Sequence, residues 1–312
     1  MRPPRIRLPR PPGRAVTLLL VPITALLTAG CGGVRTTVDP GTLRVVAAEN
    51  FWGSIAAQLA GPRARVQSII SSPATDPHSY EPTAADARAL AGAQLTIVNG
   101  IGYDPWAPKL LAADSAPARS VLNVGDLLRL KDGDNPHRWY SPANVESVAG
   151  AISADLKRLE PRDAAYFTAR LAGFRTRGLA TYHALISRIG SRYAGVPVGA
   201  SESIFALLAP ALGLRLITPP SFMKSISEGT EVSAQDAAIT REQLTGHAVK
   251  VWIYNSQNVT PEIQQLGDLA RREGIPIATI TETLSPPGAS FQDWQSAQLT
   301  GIAQALGQAT GR

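Results

Sequence analysis

Leu43-Arg44-Val45-Val46-Ala47-Ala48 reads as a buried strand, and a helical pattern follows it over residues 52–59 until Gly61-Pro62 ends it. Arg65-Val66-Gln67-Ser68-Ile69-Ile70 is then a second strand, so the first thirty residues of this region make one strand–helix–strand unit. The alternation continues outward. Thr83-Ala84-Ala85-Asp86 opens a helix with a capping-box pattern that Gly92 closes, and Leu95-Thr96-Ile97-Val98 is a third strand. A helix near residues 106–112 and a weaker strand, Ser120-Val121-Leu122-Asn123, complete a parallel α/β lobe.

Beyond it, Ser141-Pro142 places an N-cap before a proline at the first helical position, and that helix runs to about residue 159 before Glu160-Pro161. Residues 162–192 contain no proline and only Gly173, Gly178 and Gly190. An unbroken helix there would be about 45 Å long, which suits a strut between lobes. The alternation then resumes with Val196-Pro197-Val198-Gly199-Ala200, a helix from Ser203 through Leu212, and Leu214-Arg215-Leu216-Ile217. A long polar loop containing Ser227-Glu228-Gly229-Thr230 leads to Val249-Lys250-Val251-Trp252-Ile253-Tyr254. Ile275-Pro276-Ile277-Ala278-Thr279-Ile280 is the last strand, and residues 292–306 make a closing helix. The expected fold is α/β with two lobes, each a four-stranded mostly parallel sheet with flanking helices, joined by a long rigid backbone helix.

The N-terminus reads differently. Arg2, Arg5, Arg7, Arg10 and Arg14 form a basic segment ahead of an apolar stretch over residues 15–29, the pattern of a secretory signal and short for a membrane span. The sole cysteine, Cys31, follows Ala29-Gly30 and resembles the lipidated cysteine of a bacterial lipobox, with Thr28 where Leu is usual. No other cysteine exists to form a disulfide with it. The chain carries +6, and five of those charges are the signal arginines, which leaves +1 for residues 31–312. A near-neutral body offers no electrostatic footprint for nucleic acid. The expected organisation is a signal peptide at 1–30, a lipid-attached tether at 31–42, an N-terminal lobe at 43–161, a connecting helix at 162–192 and a C-terminal lobe at 193–312.

Only four histidines occur in 312 residues, and two of them follow a proline in a loop: Asp76-Pro77-His78-Ser79-Tyr80-Glu81-Pro82 and Asn135-Pro136-His137-Arg138-Trp139. Proline-braced turns suit imidazoles aimed at one point. Ligands of open α/β sheets collect at the carboxyl ends of strands. Those ends offer His78 and His137 from the first lobe and Glu202 and Glu282 from the second. Two neutral imidazoles and two carboxylates suit a divalent cation: four-coordinate, as zinc prefers, with monodentate carboxylates, or higher-coordinate, as manganese prefers, with bidentate ones. Glu202 could instead simply sit at the start of the following helix, where carboxylates are favoured, and Glu282 could be an ordinary loop carboxylate. His183 and His247 are read as surface or satisfied histidines, and Trp52, Trp106 and Trp139 as core.

These motifs resemble those of zinc/manganese-family substrate-binding lipoproteins of bacterial metal ABC transporters. The resemblance rests on the two Pro-His stretches, on Asn99-Gly100-Ile101-Gly102-Tyr103-Asp104-Pro105-Trp106, and, in the second lobe, on Ser201-Glu202-Ser203, Glu228-Gly229-Thr230 and Thr281-Glu282-Thr283. It covers residues 42–312 and implies a lipid-anchored, monomeric receptor on the outer face of the cytoplasmic membrane that hands zinc or manganese to an ABC permease. Glu282 stands where the family usually has Asp, Glu202 where it has His or Glu, and the His-rich loop of many zinc-specific members is missing. Those departures lean toward manganese, while intrinsic affinity favours zinc, so both metals stand. Two other classes compete. A metalloenzyme would use a two-His/carboxylate site with an open coordination position, but the chain has no HExxH, nucleophile elbow or second thiol. A metal-free adhesion or scaffold lipoprotein would leave both Pro-His loops unexplained.

Overall fold

A computed structural model describes residues 42–75, 80–114, 116 and 118–312. The expected signal peptide at 1–30, the expected tether as far as residue 41, Cys31 and His78 lie outside these residues. The first lobe contains β1 (Leu43–Glu49), α1 (Asn50–Ala60), β2 (Ala64–Ile70), α2 (Ala84–Ala91), β3 (Leu95–Val98), α3 (Trp106–Ala113), β4 (Ser120–Asn123), the short α4 (Val124–Leu127) and α5 (Pro142–Leu159). All pairings are parallel, in the order β2-β1-β3-β4, with Val45 between Val66 and Leu95. The capping box at Thr83 and Asp86 and the Ser141 cap ahead of Pro142 both form.

The second lobe repeats this plan with β5 (Pro197–Ala200), β6 (Arg215–Leu216), β7 (Val251–Asn255) and β8 (Ile277–Ile280), again all parallel, in the order β6-β5-β7-β8. Each sheet therefore reverses its winding between its two central strands, and a crevice opens there at the carboxyl ends.

Residues 164–193 run as α6 (Ala164–Gly173), a five-residue π-helical segment (Phe174–Gly178) and α7 (Ala180–Tyr193). Glycines bound that segment at 173 and 178, where the α-helical ladder is most easily interrupted. These helices also pack: α6 lies on α1 and α5, and α7 on the final helix of the chain. Phe167, Phe174, Tyr182 and Ile189 enter a single apolar core that continues from Phe51 and Trp139 in the first lobe to Phe222, Trp252 and Trp294 in the second. The described residues form one compact unit. Trp52, Trp106 and Trp139 are all buried in it, whereas His183 and His247 are exposed.

The second lobe departs from the expected pattern in two places. The helix expected from Ser203 to Leu212 is only a 3-10 turn, Ser203–Leu207, because Pro210 has no N–H to continue a ladder. The expected polar loop folds into α8 (Pro220–Ser227) and α9 (Ala234–Thr245), and α10 (Pro261–Arg272) precedes β8, with α11 (Phe291–Thr310) closing the chain.

Candidate metal centre

His137 follows β4 and begins the 3-10 turn Arg138–Tyr140. Asn135 holds it twice, accepting at Oδ1 from the His137 backbone N at 3.0 Å and from ring Nδ1 at 2.9 Å. An amide oxygen is only an acceptor, so Nδ1 carries the proton and Nε2 keeps its lone pair. Asn135 Nδ2 meanwhile donates to the Ser203 carbonyl at 2.7 Å, which fixes the amide's orientation and ties this turn to the second lobe. Tyr103 and Trp139 wall the imidazole edge-on, with ring centroids 5.9 and 5.3 Å away.

The turn is placed from beneath by the loop after β3. Asn99 accepts from Trp52 Nε1 at 3.0 Å and donates to the Pro136 carbonyl at 3.0 Å. Gly100 adopts φ +69°, and a Cβ there would come within 2.3 Å of Asn123 Oδ1, so the loop requires glycine at this point. Asp104 locks the same loop by accepting from the Asn99 and Gly100 amides at 2.7 and 2.8 Å. Burial nevertheless pushes the Asp104 carboxyl up to about 6. Beside it, Glu49 at the end of β1 is fully buried, and burial first, then the Asp104 charge, raises its pKa well above the ordinary value.

The second lobe supplies the carboxylates. Glu202 leaves the end of β5 just before the 3-10 turn, but its side chain makes no capping hydrogen bond. Its oxygens accept from Asn255 Nδ2 and Asn258 Nδ2, each at 2.6 Å. Glu282 follows β8, and its oxygens accept from Asn255 Nδ2 at 3.0 Å and, across the lobes, from the Tyr103 hydroxyl at 2.7 Å. Burial, then Glu282, raises the Tyr103 pKa well above the usual phenol range, so this hydroxyl stays a donor.

His137, Glu202 and Glu282 each bring one ligand atom to a common point, all within 4.8 Å of one another, and all three residues are buried at 0–1% exposure. Among the described residues this is the one group of three or more such side chains that could hold a metal ion. The described flanks of the His78 loop are anchored: the Pro73 carbonyl accepts from Gln257 of the second lobe, and the Tyr80 hydroxyl donates to Asp86 at 2.8 Å.

The comparisons with known proteins agree with this architecture. Residues 45–305 match the family described as zinc-uptake complex component A periplasmic. The chain belongs to that family. The manganese-binding lipoprotein MntA of Halalkalibacterium halodurans is 29% identical over 160 residues, 50% of this chain and 53% of that protein. The zinc-binding lipoprotein AdcA of Streptococcus pneumoniae is 22% identical over 338 residues, 95% of this chain and 62% of that protein. The chain thus matches about half the length of the first and less than two thirds of the second. Among solved structures, a metal-free mutant of a periplasmic metal binding protein from Candidatus Liberibacter asiaticus superposes with TM-score 0.72 at 20% identity, covering 85% of this chain and all of that one. The substrate-binding protein FpvC of P. aeruginosa, solved with Ni2+, gives 0.67 at 20% identity over 85% of this chain and 97% of that one. At such identities these two likenesses speak to the fold, which is the two-lobed α/β architecture described above.

Sequence reasoning assigned no role to Asn135, Asn255 or Asn258, and none to Tyr103 beyond its place in a motif. Asn255 was reachable in principle: it ends the central strand of the second sheet, between the strands that carry the two glutamates.

Proposed function

We propose that this protein is an extracytoplasmic substrate-binding protein that captures a divalent transition metal, zinc or manganese, between its lobes and delivers it to an ABC permease for import. The observation that carries the reading is the convergence of His137, Glu202 and Glu282, one residue from the first lobe and two from the second, on a buried point at the carboxyl ends of both sheets. Two carboxylates brought together away from water repel each other and lose hydration, and a bound dication offsets both costs. His78 is the fourth ligand in this reading, delivered by the first Pro-His loop. The ion is cargo: it is bound, carried and released, and no chemical step is performed on it.

Family membership supports this role, as do relatives named for binding manganese and zinc. The lobes at 43–161 and 193–312, connected through 162–192, act as two walls of one site. Cys31 is the lipid attachment point, and it holds a monomeric receptor on the outer face of the cytoplasmic membrane, beside its permease. No helix among the described residues is long and apolar enough to cross a membrane.

The test is a titration of the metal-stripped protein with zinc and with manganese, following heat of binding and thermal midpoint. Submicromolar binding of at least one metal is expected, with a midpoint that climbs as metal is added. A protein whose midpoint ignores both metals, and which binds neither below micromolar levels, would end the proposal.

A further inference from the structure

We propose that the exposed arginines around the amino end of the first sheet and along α6 form a docking surface for the anionic phospholipid headgroups of a bilayer. The surface is separate from the metal centre. It rests on the reading of Cys31 as the lipid attachment point only for what brings a bilayer near.

Charge is divided unevenly over the body. Residues 162–192 contain six arginines and one acid, Asp163, for a net +5, while residues 31–312 carry +1 in total, which leaves −4 for the rest. Asp163 is held by Arg63, whose Nε lies 3.5 Å from it and whose guanidinium stands over the Tyr166 ring at 5.5 Å. That contact joins the connecting segment to the start of β2. There Ala64 is the register partner of Leu43 and Arg65 that of Arg44, so two like charges sit on neighbouring strands where the chain enters the first sheet. Arg44, Arg63, Arg65, Arg162, Arg170 and Arg177 are all exposed.

α6 carries this surface onward. Arg170 Nε donates to the Gln58 carbonyl at 2.8 Å, and a Cβ added to Gly61 would meet both the Tyr166 hydroxyl and the Arg170 guanidinium. Arg63 and Arg170 thus flank one ring. Beyond them a cavity of about 250 Å³ opens beside the π-helical segment, lined by Gln58, Arg170, Phe174 and Arg177. Two guanidiniums at one concavity suit a phosphodiester, which they meet with paired N–H donors. Tethering makes a weak surface sufficient. Ten residues separate Cys31 from Thr42, so Thr42 stays within about 40 Å of an anchored Cys31, at an effective concentration on the order of millimolar. Each arginine close to an anionic leaflet raises partition about fivefold. The strands of the first sheet are parallel, so their amino ends lie opposite the carboxyl ends. A body resting on this surface therefore keeps the point where His137, Glu202 and Glu282 converge clear of the lipid.

The experiment floats the unlipidated mature chain, residues 31–312 with Cys31→Ser, on vesicles of phosphatidylcholine alone or mixed with phosphatidylglycerol, at low and at high salt. The expected result is binding to the phosphatidylglycerol vesicles only, weakened about tenfold or more by high salt. The double variants Arg44→Gln/Arg65→Gln and Arg170→Gln/Arg177→Gln should each cost about twentyfold in partition, with thermal midpoint and metal affinity unchanged. Arg44→Lys/Arg65→Lys keeps the charge and should bind as the parent chain does. Arg188→Gln/Arg192→Gln, at the far end of α7, should cost less than about threefold. Equal retention on both kinds of vesicle, or none on the anionic ones, would overturn the proposal. So would a loss in Arg188→Gln/Arg192→Gln as large as in the other pairs, since net charge and not this surface would then be at work. The tested chain carries no lipid, so protein recovered from membranes without a diacylated Cys31 would fail the anchoring reading alone.

Discussion

The two lobes share one topology and hold their candidate ligand side chains by opposite means. In the first, the His137 imidazole sits on a proline-braced turn between aromatic rings, and Asn135 both selects its tautomer and reaches across to Ser203. In the second, the Glu202 and Glu282 carboxylates stand singly at strand ends, held by amide donors from the central strand and the loop after it. The first arrangement fixes direction and the second fixes charge separation. A neutral imidazole needs aiming, while a pair of carboxylates needs to be kept from rotating and repelling. Tyr103 joins the two schemes, since it walls His137 and donates to Glu282.

The sharpest break of this comparison removes a ligand from either side. His137→Ala and Glu202→Ala should each lower metal affinity by more than the roughly hundredfold that loss of an outer partner costs, as read by calorimetry. If only one of them matters, the metal is held by a single lobe. Next come the partners that aim and join. Asn135→Ala and Tyr103→Phe should each cost about 10–100-fold in affinity with the metal-free fold intact by circular dichroism. An unchanged affinity in Tyr103→Phe would show that the cross-lobe bond is incidental.

A smaller effect concerns the buried acids under the first lobe's loop. Glu49 keeps its proton in the native protein well above the ordinary glutamate value of 4.5. Between those two values unfolding releases a proton, so stability contributed by the neutral acid is present at low pH and declines as pH rises. Glu49→Gln has no such slope. Metal-free Glu49→Gln should match the wild type at about pH 4 and melt higher at neutral pH, as read by thermal midpoints across that range. A constant offset at every pH would contradict the assignment. The smallest effect is on shape. One apolar core runs through both lobes and the connecting helices, so metal release should change the radius of gyration by less than about 1 Å in solution scattering.

The first lobe was the more legible in sequence because its signals are local. Strands at 43–49 and 95–98, the Thr83 capping box, the Ser141-Pro142 start and both Pro-His turns each announce themselves within a few residues. In the second lobe the strands were readable, and so were Glu202 and Glu282 as strand-end carboxylates, but only through topology. The helices there were harder. α9 buries little beyond Thr240 and Leu244, so it has almost no apolar stripe to read. α10 has a clear one, with Ile263, Leu266 and Ala270 buried behind the Thr260-Pro261 start, yet the alternation read from sequence runs from the third strand to the fourth without it. The amide donors that hold Glu202 and Glu282 were not legible at all. Asn255 and Asn258 lack any motif, and their role exists only once β5, β7 and β8 lie side by side. The 162–192 segment looked like a free strut because glycine and proline spacing reports continuity; its burial depends on partners more than a hundred residues away.

The central claim, that one ion is held by both lobes at once, is tested most directly by a crystal structure of the metal-loaded protein with anomalous data at the metal edge. The account predicts a single strong peak about 2.0–2.2 Å from His137 Nε2 and from one oxygen of each of Glu202 and Glu282. A peak bound by residues of one lobe alone, or no peak at that point in protein that has demonstrably taken up metal, would contradict it.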